Sequence, residues 1–438
     1  MTDNPFDQDR EDAVLGPSVD HRGGVYIVTW PQGVTAEVMR LRETRDGHLK
    51  GRLTMRHGAE GSDIIDRRRI VSGVDQNMSS TVTRRQLIKE LQEKIPDDNL
   101  PGYTWGQIVE QMCSLVQDTY WQGEPVHTIG NGLQLPPRES GFLCSPYLRS
   151  GVSTMFYGKG GSTKSMIGAR LALLVQAGVS EPGMTVQRQA NVLVLDWETD
   201  AYDFNERVKA IKAGSEVLRD TDTAIGYRRC HRPLLDDISE IQRQVVDRDV
   251  GFIIIDSVGG ALRGDFNDAA VAIEFFNAVR SLNVTALLID HVAKGGTDPI
   301  GSVMKLNTAR STWEVQASEE DVGSSTRRVA LFHRKVNTGK MLSPRGFKVV
   351  FQSDHQDEEL QQVRFEPIEV SDVPDLAAGL PVKDQIVKYL RGQDNGRATL
   401  EDICTGLGLK PAAAKSALYR GRGVTFTSID ELGEWGLL

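Results

Sequence analysis

Residues 158–165 read Gly-Lys-Gly-Gly-Ser-Thr-Lys-Ser. They follow an apolar run, Val152–Tyr157, that is typical of a β-strand, and they precede a helical pattern from Met166 to Ala177. A strand, a glycine-rich turn and a helix in this order predict a P-loop, whose backbone N–H groups surround nucleotide phosphates. An ordinary glycine-rich turn before a helix is the alternative. The candidate nucleotide ligands are Gly158, Lys159, Gly160, Gly161, Ser162, Thr163, Lys164 and Ser165.

Three positions of this stretch have distinct expected roles. Lys164 supplies the cation that reaches the terminal phosphates, and the Ser165 hydroxyl meets Mg²⁺. Thr163 departs from the usual pattern, in which a glycine precedes the lysine. A Cβ restricts the backbone conformations of a residue, so Thr163 leaves the rate of ATP turnover in doubt more than ATP binding. The expected ligands are therefore ATP and Mg²⁺.

Composition limits the class of protein. A chain of 438 residues with 39% hydrophobic and 25% charged residues is expected to be globular, with about two or three domains. The formal net charge of −9 does not indicate a general nucleic-acid binder, so any such binding depends on local basic patches. No apolar run approaches the ~20 residues that span a bilayer, and residues 1–12 lack a signal-peptide pattern. Four scattered cysteines fit reduced thiols, and we expect a cytoplasmic protein without membrane contact.

The periodicity of apolar residues predicts five segments. Residues 1–20 are expected to form a flexible tail, 21–135 an N-terminal α+β domain, 140–370 a mainly parallel α/β domain, 371–381 a linker and 382–438 a C-terminal winged helix-turn-helix.

Local signals support the two outer domains. In the N-terminal domain, Arg45-Asp46-Gly47 predicts a hairpin turn between strands at 35–43 and 49–57. Helical patterns follow at 83–94 and 105–120. The C-terminal domain shows three helical patterns and a strand pair.

Polar side chains follow three apolar strands of the α/β domain, where open α/β sheets bind ligands. The run Phe252–Ser257 ends in Asp256, which matches a Walker B carboxylate that holds Mg²⁺ through its water shell. Glu198 is the candidate base that orients water, with Asp196 as runner-up, although both could simply cap the next helix. His291 could contact the γ-phosphate or be a structural histidine.

Cations follow these strands. The segment from Gly301 to Arg310 and the pair Arg334-Lys335 add positive charge beyond Lys164. Extra cations fit a site that a neighbouring subunit completes, as an arginine finger in trans. A solvated basic face is the alternative.

These motifs together resemble RecA-type ATPases of the RepA hexameric helicase group, which has relatives in phages and mobile elements. The resemblance covers about 146–350. It implies a RecA-like P-loop core, with Glu198 as catalytic carboxylate, His291 as γ-phosphate sensor and Arg310 as the finger in trans. The sequences that carry it are GKGGSTKS at 158–165, LDWE at 195–198, FIIIDS at 252–257, DHVAKG at 290–295 and GSVMKLNTAR at 301–310.

The first functional hypothesis is a motor that forms a ring, expected to be a hexamer, on single-stranded DNA. The loops 259–268, with Arg263, and 293–305, with Lys294 and Lys305, would face its pore. A few cations per subunit suffice because every subunit repeats them.

The second hypothesis is an ATP-dependent regulatory or assembly protein that binds DNA without unwinding it. Its DNA contact would be the C-terminal recognition helix, although winged helices also bind proteins. The basic residues around that helix are Lys410, Lys415, Arg420 and Arg422.

Overall fold

The protein is described by a computed structural model, which describes residues 16–22, 24–58, 67–123, 141–292, 299, 301, 303–354, 359–429 and 433–438. Within those ranges the chain forms two units. Unit 1 contains residues 16–123, 236–249 and 281–283, and unit 2 contains the remainder.

Unit 1 is built on a five-stranded antiparallel sheet in the order β1-β2-β3-β4-β5. Its strands are β1 (Ser18–Arg22), β2 (Val25–Thr29), β3 (Val34–Glu43), β4 (Leu49–His57) and β5 (Arg68–Asn77). Two helices, α1 (Thr81–Lys94) and α2 (Trp105–Gln122), pack on one face and share a core with the sheet.

One local prediction for unit 1 is confirmed and one is corrected. Gly47 has φ 73° and joins β3 to β4, as the Asp-Gly pair predicts. Ser80 caps α1 by accepting from the Thr83 N–H. The predicted flexible tail 1–20 is wrong at its end, because Ser18–Asp20 pair with β2, while residues 1–15 lie outside the described residues.

Unit 2 contains a nine-stranded mixed sheet in the order β10-β9-β11-β12-β7-β13-β14-β15-β16, and β6 pairs with β8 separately. The first six strands of that order are parallel, and β14 to β16 continue the sheet antiparallel. The bounds are β6 (Cys144–Ser145), β7 (Ser153–Gly158), β8 (Thr185–Val186), β9 (Asn191–Asp196), β10 (Gly226–Arg229), β11 (Val250–Asp256), β12 (Thr285–His291), β13 (Ser311–Ala317), β14 (Thr326–Val336), β15 (Arg345–Ser353) and β16 (Leu360–Ile368).

Helices connect the parallel strands. They are α3 (Lys164–Ala177), α4 (Ala201–Ala213), α5 (Leu234–Asp247), α6 (Val258–Ala261), α7 (Ala269–Ser281), α8 (Met304–Thr308) and, after the sheet, α9 (Pro374–Ala377). The apolar run 252–255 in β11 is buried on both faces of the sheet, as a central parallel strand requires. The predicted α/β core is therefore confirmed.

The predicted linker at 371–381 is packed. Val373 and Leu376 are buried against Ala330 and Phe332 of β14, and Asp375 accepts the backbone N–H of Glu319 at 2.8 Å. Polarity and prolines suggested a free connection, but Val370, Val373 and Leu376, spaced three residues apart, hold most of this segment on the sheet.

The C-terminal residues form α10 (Val382–Arg391), β17 (Arg397–Thr399), α11 (Leu400–Leu407), α12 (Pro411–Gly421), β18 (Phe426–Ile429) and β19 (Glu434–Leu437). The strands pair in the order β17-β19-β18 around an apolar cluster that includes Ile386, Leu418 and Trp435. The predicted helices and strand pair are present, and their class as a winged helix-turn-helix stays a prediction. Among the described helices, none is long and apolar enough to cross a membrane.

Candidate nucleotide-binding site

The glycine-rich stretch lies where β7 ends and α3 begins. Gly158 must lack a side chain, because a Cβ there would come within 2.1 Å of the Val315 carbonyl on β13. Gly161 has φ 72°, in the left-handed region that favours glycine. The turn therefore brings consecutive N–H groups and the amino end of α3 together, which is the anion-binding geometry that the sequence predicts.

Thr163 adopts the conformation of the glycine that it replaces. Its φ of 63° and ψ of 17° place a β-branched residue in the left-handed region. Its hydroxyl donates to the Ser162 carbonyl at 2.6 Å. The loop thus keeps the P-loop turn and carries strain of about 1–2 kcal/mol at this position.

Thr163→Gly is expected to raise the unfolding temperature slightly and to leave ATP hydrolysis at least as fast. The change removes about 1–2 kcal/mol of strain and adds about 0.5–1 kcal/mol of unfolded-chain entropy. Thr163→Ala is the control, because alanine keeps a Cβ and loses the hydroxyl bond. If a thermal melt shows that the alanine variant is more stable than the glycine variant, the backbone strain assigned to position 163 is contradicted.

Lys164 is buried beneath the loop. Its ammonium donates to the carbonyls of Gly158 at 2.9 Å and Lys159 at 2.8 Å. Burial lowers the pKa of Lys164 to about 8, while the carboxylates of Asp256 and Glu198 act to raise it. The cation is therefore held at the bend of the loop, beside the acidic ends of the neighbouring strands.

Asp256 and Ser165 fit the requirements of a Mg²⁺ site. The Asp256 carboxyl is buried at the end of β11 and shares a hydrogen bond with the Ser165 hydroxyl. Burial raises the pKa of Asp256 to about 6, with smaller contributions from nearby carboxylates. Its Oδ1 has no hydrogen-bond partner among the described residues. A buried carboxylate oxygen and an adjacent hydroxyl are ligands that Mg²⁺ and its waters prefer.

Glu198 faces His291 across the site. The Glu198 Oε1 lies 3.0 Å from the His291 Nε2, and both side chains are half-buried. This hydrogen bond is the main reason that the pKa of Glu198 is about 2, against the opposing effect of burial, and the Ser257 hydroxyl helps to lower it. Glu198 is thus an ionised, oriented carboxylate beside the Lys164 ammonium.

Asp196, the alternative base, is used to build the turn that carries Glu198. Its Oδ1 accepts the N–H groups of Glu198 at 2.8 Å and Thr199 at 2.9 Å. Its Oδ2 accepts the Thr199 hydroxyl at 2.6 Å and the Tyr227 hydroxyl at 3.2 Å. Asp196 is therefore a positioning residue, and the geometry favours Glu198 as the base.

Arg310 lies at the opposite edge of the sheet from the P-loop. Its N–H donates to the Ser153 carbonyl at 3.2 Å, at the amino end of β7, whereas Gly158 ends that strand. Five residues of β-strand span about 16 Å, which exceeds the reach of an arginine side chain. The exposed Arg310 therefore does not serve the phosphate site of its own chain.

Lys305 is buried, so the DNA contact predicted for it from the sequence is not accessible. Its side chain is only 1% exposed, and its ammonium pairs with the Asp290 carboxylate at 2.8 Å. A DNA phosphate could reach this cation only if the buried pair separated. Lys294 lies outside the described residues, whereas Arg263 is exposed on the loop after α6. A Cβ on Gly301 would lie 2.2 Å from the Phe266 carbonyl, so the loops after β11 and β12 touch.

The two further cations of the sequence have structural partners. The Lys335 ammonium donates to the carbonyls of Leu306, Asn307 and Ala309 at 2.6–2.7 Å and so closes the end of α8. The Arg334 guanidinium pairs with Glu314 at 2.8 Å. The Lys335 contacts hold the segment before Arg310, and Glu314, the partner of Arg334, lies on β13 after it. Both cations have protein partners, which leaves Arg310 as the better finger candidate.

Arg327 is a site residue that the sequence interpretation missed. It is the second residue of β14, which runs antiparallel to β13 and so starts at the P-loop edge. A Cβ on Gly161 would lie 3.9 Å from the Arg327 guanidinium. Arg327 also lines a cavity of about 660 Å³ with the P-loop, Val315 and Val322. This volume is within the ~300–1,000 Å³ typical of small-molecule pockets.

The four basic residues of the C-terminal domain lie around α12. All four are exposed, and the Lys415 ammonium sits 5.8 Å from the centre of the Tyr419 ring. They are Lys410, Lys415, Arg420 and Arg422. The structure therefore leaves this cationic surface accessible to solvent.

Comparison with known proteins assigns the class of the core. Residues 124–297 match the family of AAA domains. This stretch includes the P-loop, Glu198, Asp256 and His291, so the match supports a P-loop ATPase domain in this part of the chain. No curated protein matches the chain.

Solved structures with similarity to the chain include a KaiC-like protein of the hyperthermophilic archaeon Pyrococcus horikoshii. It is 16% identical over 52% of this chain and 98% of its own, with a TM-score of 0.36.

Proposed function

We propose that the protein is an ATP-driven motor, a RepA-like replicative DNA helicase or DNA-replication ATPase that acts as a hexameric ring on single-stranded DNA. The observation that supports it best is the separation of the two cations. Lys164 serves the P-loop of its own chain, while Arg310 lies about 16 Å away at the other edge of the sheet. An ATPase whose finger cannot reach its own nucleotide needs a second subunit to complete the site.

The chain's own side chains account for hydrolysis. Lys164 and the P-loop N–H groups bind the β- and γ-phosphates of ATP. The ionised Glu198 orients a water and takes its proton as the water attacks the γ-phosphorus, while ADP leaves. His291, bonded to Glu198, is placed to sense whether the γ-phosphate is present. Ser165 and Asp256 would hold Mg²⁺, which neutralises phosphate charge when bound.

Mixing defective subunits tests the trans role of Arg310. Arg310→Ala and Lys164→Ala proteins should each be inactive, and their mixture should regain part of the ATPase rate. In the mixture some interfaces join an intact Lys164 to an intact Arg310. Lys164→Ala mixed with Glu198→Gln is the matched control, which should recover nothing because both residues serve the same nucleotide within one chain. No recovery with Arg310→Ala, under conditions where subunits exchange, would contradict a trans finger.

The DNA-binding surfaces of the motor are the loops after β11 and β12 and, separately, the C-terminal domain. The first loop carries Arg263 and the second contains Lys294. We assign the C-terminal residues 382–438 as a winged helix-turn-helix with α12 as its recognition helix. The exposed cations on and beside α12 favour duplex DNA as its partner.

Removal of residues 382–438 is expected to leave ATP hydrolysis intact, because every nucleotide-site residue lies before this domain. Duplex DNA affinity should fall, and the slope of log affinity against log salt should decrease by at most about 3.6, at ~0.9 per phosphate contact. The measurement is fluorescence anisotropy of a labelled duplex across a salt series. Equal duplex binding by both proteins would reassign the domain to protein contacts.

The alternative function is an ATP-dependent regulatory or assembly protein that binds DNA without unwinding it. The exposed α12 surface is the observation that favours it. The two functions are separated by adding circular single-stranded DNA and then a tailed duplex to the ATPase assay. The motor predicts stimulated hydrolysis and strand separation, whereas the regulator predicts binding without strand separation.

A further inference from the structure

Unit 1 contains a basic cavity of about 210 Å³ between its sheet and α5. Strand alternation explains how it forms. On β4, Leu53 and Met55 point into the core with α1 and α2, so Arg52, Thr54 and Arg56 point to the other face. Residues 239–243 of α5 cover that face and close one side of the cavity. The arginines that line it are Arg40, Arg52, Arg56, Arg69 and Arg243.

Among the described residues, two carboxylates line the cavity with these five arginines. Glu37 pairs with Arg56 at 2.9 Å, and Glu240 pairs with Arg243 at 2.5 Å. The lining therefore has an excess of three positive charges. Two carboxylates outside the lining reduce this excess, because Asp75 is the register partner of Arg52 on β5 and Asp247 lies 3.8 Å from Arg243.

The sheet brings like charges together at this point. Arg56 on β4 and Arg69 on β5 are direct partners in the antiparallel register. Two arginines in directly opposed positions destabilise a sheet, and Glu37 neutralises only one of them. An anion bound between their guanidinium groups would remove this repulsion.

The guanidinium groups of Arg40 and Arg52 have contacts that position them without a ligand. The Arg40 Nε donates to the buried Ser239 hydroxyl at 2.8 Å, and Arg40 itself has φ 55° at an irregularity in β3. The Arg52 guanidinium packs on Gly73, where a Cβ would approach its Nε to 2.7 Å. Non-glycine residues with positive φ are concentrated at functional sites. Preorganised guanidinium forks match the oxygens of a phosphate group.

We propose that this cavity is a phosphate-binding site, separate from the P-loop. Its volume is below the ~300 Å³ at which small-molecule pockets begin, so it takes one or two phosphate groups rather than a whole nucleotide. The phosphates belong either to a nucleic-acid backbone that passes through the open cavity or to a free phosphate or pyrophosphate. The site does not depend on the function proposed for the ATPase core.

The test is a calorimetric titration of the full-length protein with inorganic pyrophosphate, with saturating ADP present to fill the P-loop. Arg52→Ala/Arg69→Ala removes two of the arginines that line the cavity, and Arg45→Ala, in the exposed hairpin turn, is the matched control. The double variant should bind pyrophosphate at least about tenfold more weakly, as expected when charge-assisted hydrogen bonds are lost. The melting temperature of the double variant reports whether it folds, and its rate of ATP hydrolysis reports whether the ATPase core is intact. Equal pyrophosphate binding by the double variant and the control, or no saturable binding to the parent, would overturn the site.

A labelled oligodeoxythymidylate distinguishes the two sources of phosphate. If the source is a nucleic-acid backbone, the oligonucleotide should displace pyrophosphate, and the double variant should lower the salt slope by about 1.4, at ~0.7 per single-strand contact. Pyrophosphate binding without displacement identifies a free phosphate ligand. If the double alanine variant does not fold, Arg52→Lys/Arg69→Lys keeps the charge and loses the fork, so affinity should still fall. Unchanged affinity in that variant contradicts the site.

Discussion

Glu198→Gln is expected to slow ATP hydrolysis on the order of 10²-fold or more while ATP still binds. Glutamine keeps the shape of the side chain and its contact with His291, but it cannot accept the proton of the attacking water. Because the pKa of Glu198 is about 2, the carboxylate is ionised at every pH above about 4. The Glu198 carboxylate also acts to raise the pKa of Lys164, which is about 8, so its loss lowers that pKa. The ratio of parent to variant rates should therefore be constant from acidic to neutral pH and rise toward pH 8, as the variant loses its Lys164 charge first.

The measurement is single-turnover hydrolysis of labelled ATP, with nucleotide affinity determined in parallel. Glu206→Gln is the matched control, since Glu206 pairs with Lys209 on the surface of α4. Asp196→Asn should also slow hydrolysis, through loss of the turn, and should lower the melting temperature as well. Normal hydrolysis by Glu198→Gln would remove Glu198 from the role of base.

Lys164→Ala is expected to abolish hydrolysis and to weaken ATP binding by about 10- to 100-fold. The ammonium is the buried cation of the P-loop, and its loss removes charge-assisted bonds to the β- and γ-phosphates. The carbonyls of Gly158 and Lys159 also lose their donor, so the variant should be less stable than the parent.

Equilibrium binding of a fluorescent ATP analogue measures the affinity, and a thermal melt separates lost affinity from lost folding. Lys209→Ala, which removes an exposed lysine of α4, is the control and should bind normally. Binding by Lys164→Ala equal to that of the parent would mean that the glycine-rich turn does not hold phosphates.

The core of the fold was predictable because its signals are local. The buried run 252–255 marks a central strand, and glycines mark the P-loop turn. The strand β5 was missed because Arg68 and Arg69 begin it and Gly73 interrupts its alternation. The short strand β17, with only three residues, is too brief for periodicity to show.

Some candidate site residues could be predicted because they lie at or just after the end of an apolar strand. They are Glu198, Asp256 and His291. The site was less predictable where the fold pairs distant charges. Lys305 resembles a DNA-contacting lysine in the sequence, and only the structure buries it against Asp290. Arg327 carried a usable signal, since a strand that returns antiparallel to β13 must start at the P-loop edge. Arg56 and Arg69 lie opposite each other because of the register between β4 and β5. The residue pattern within one β-strand does not determine that register.

Release of phosphate from ATP by the purified chain tests the central claim most directly. The account predicts steady hydrolysis by the parent protein and none above background by Lys164→Ala, with the Lys209→Ala control close to the parent. Equal phosphate release by the parent and Lys164→Ala proteins would contradict the assignment of residues 158–165 as the catalytic P-loop.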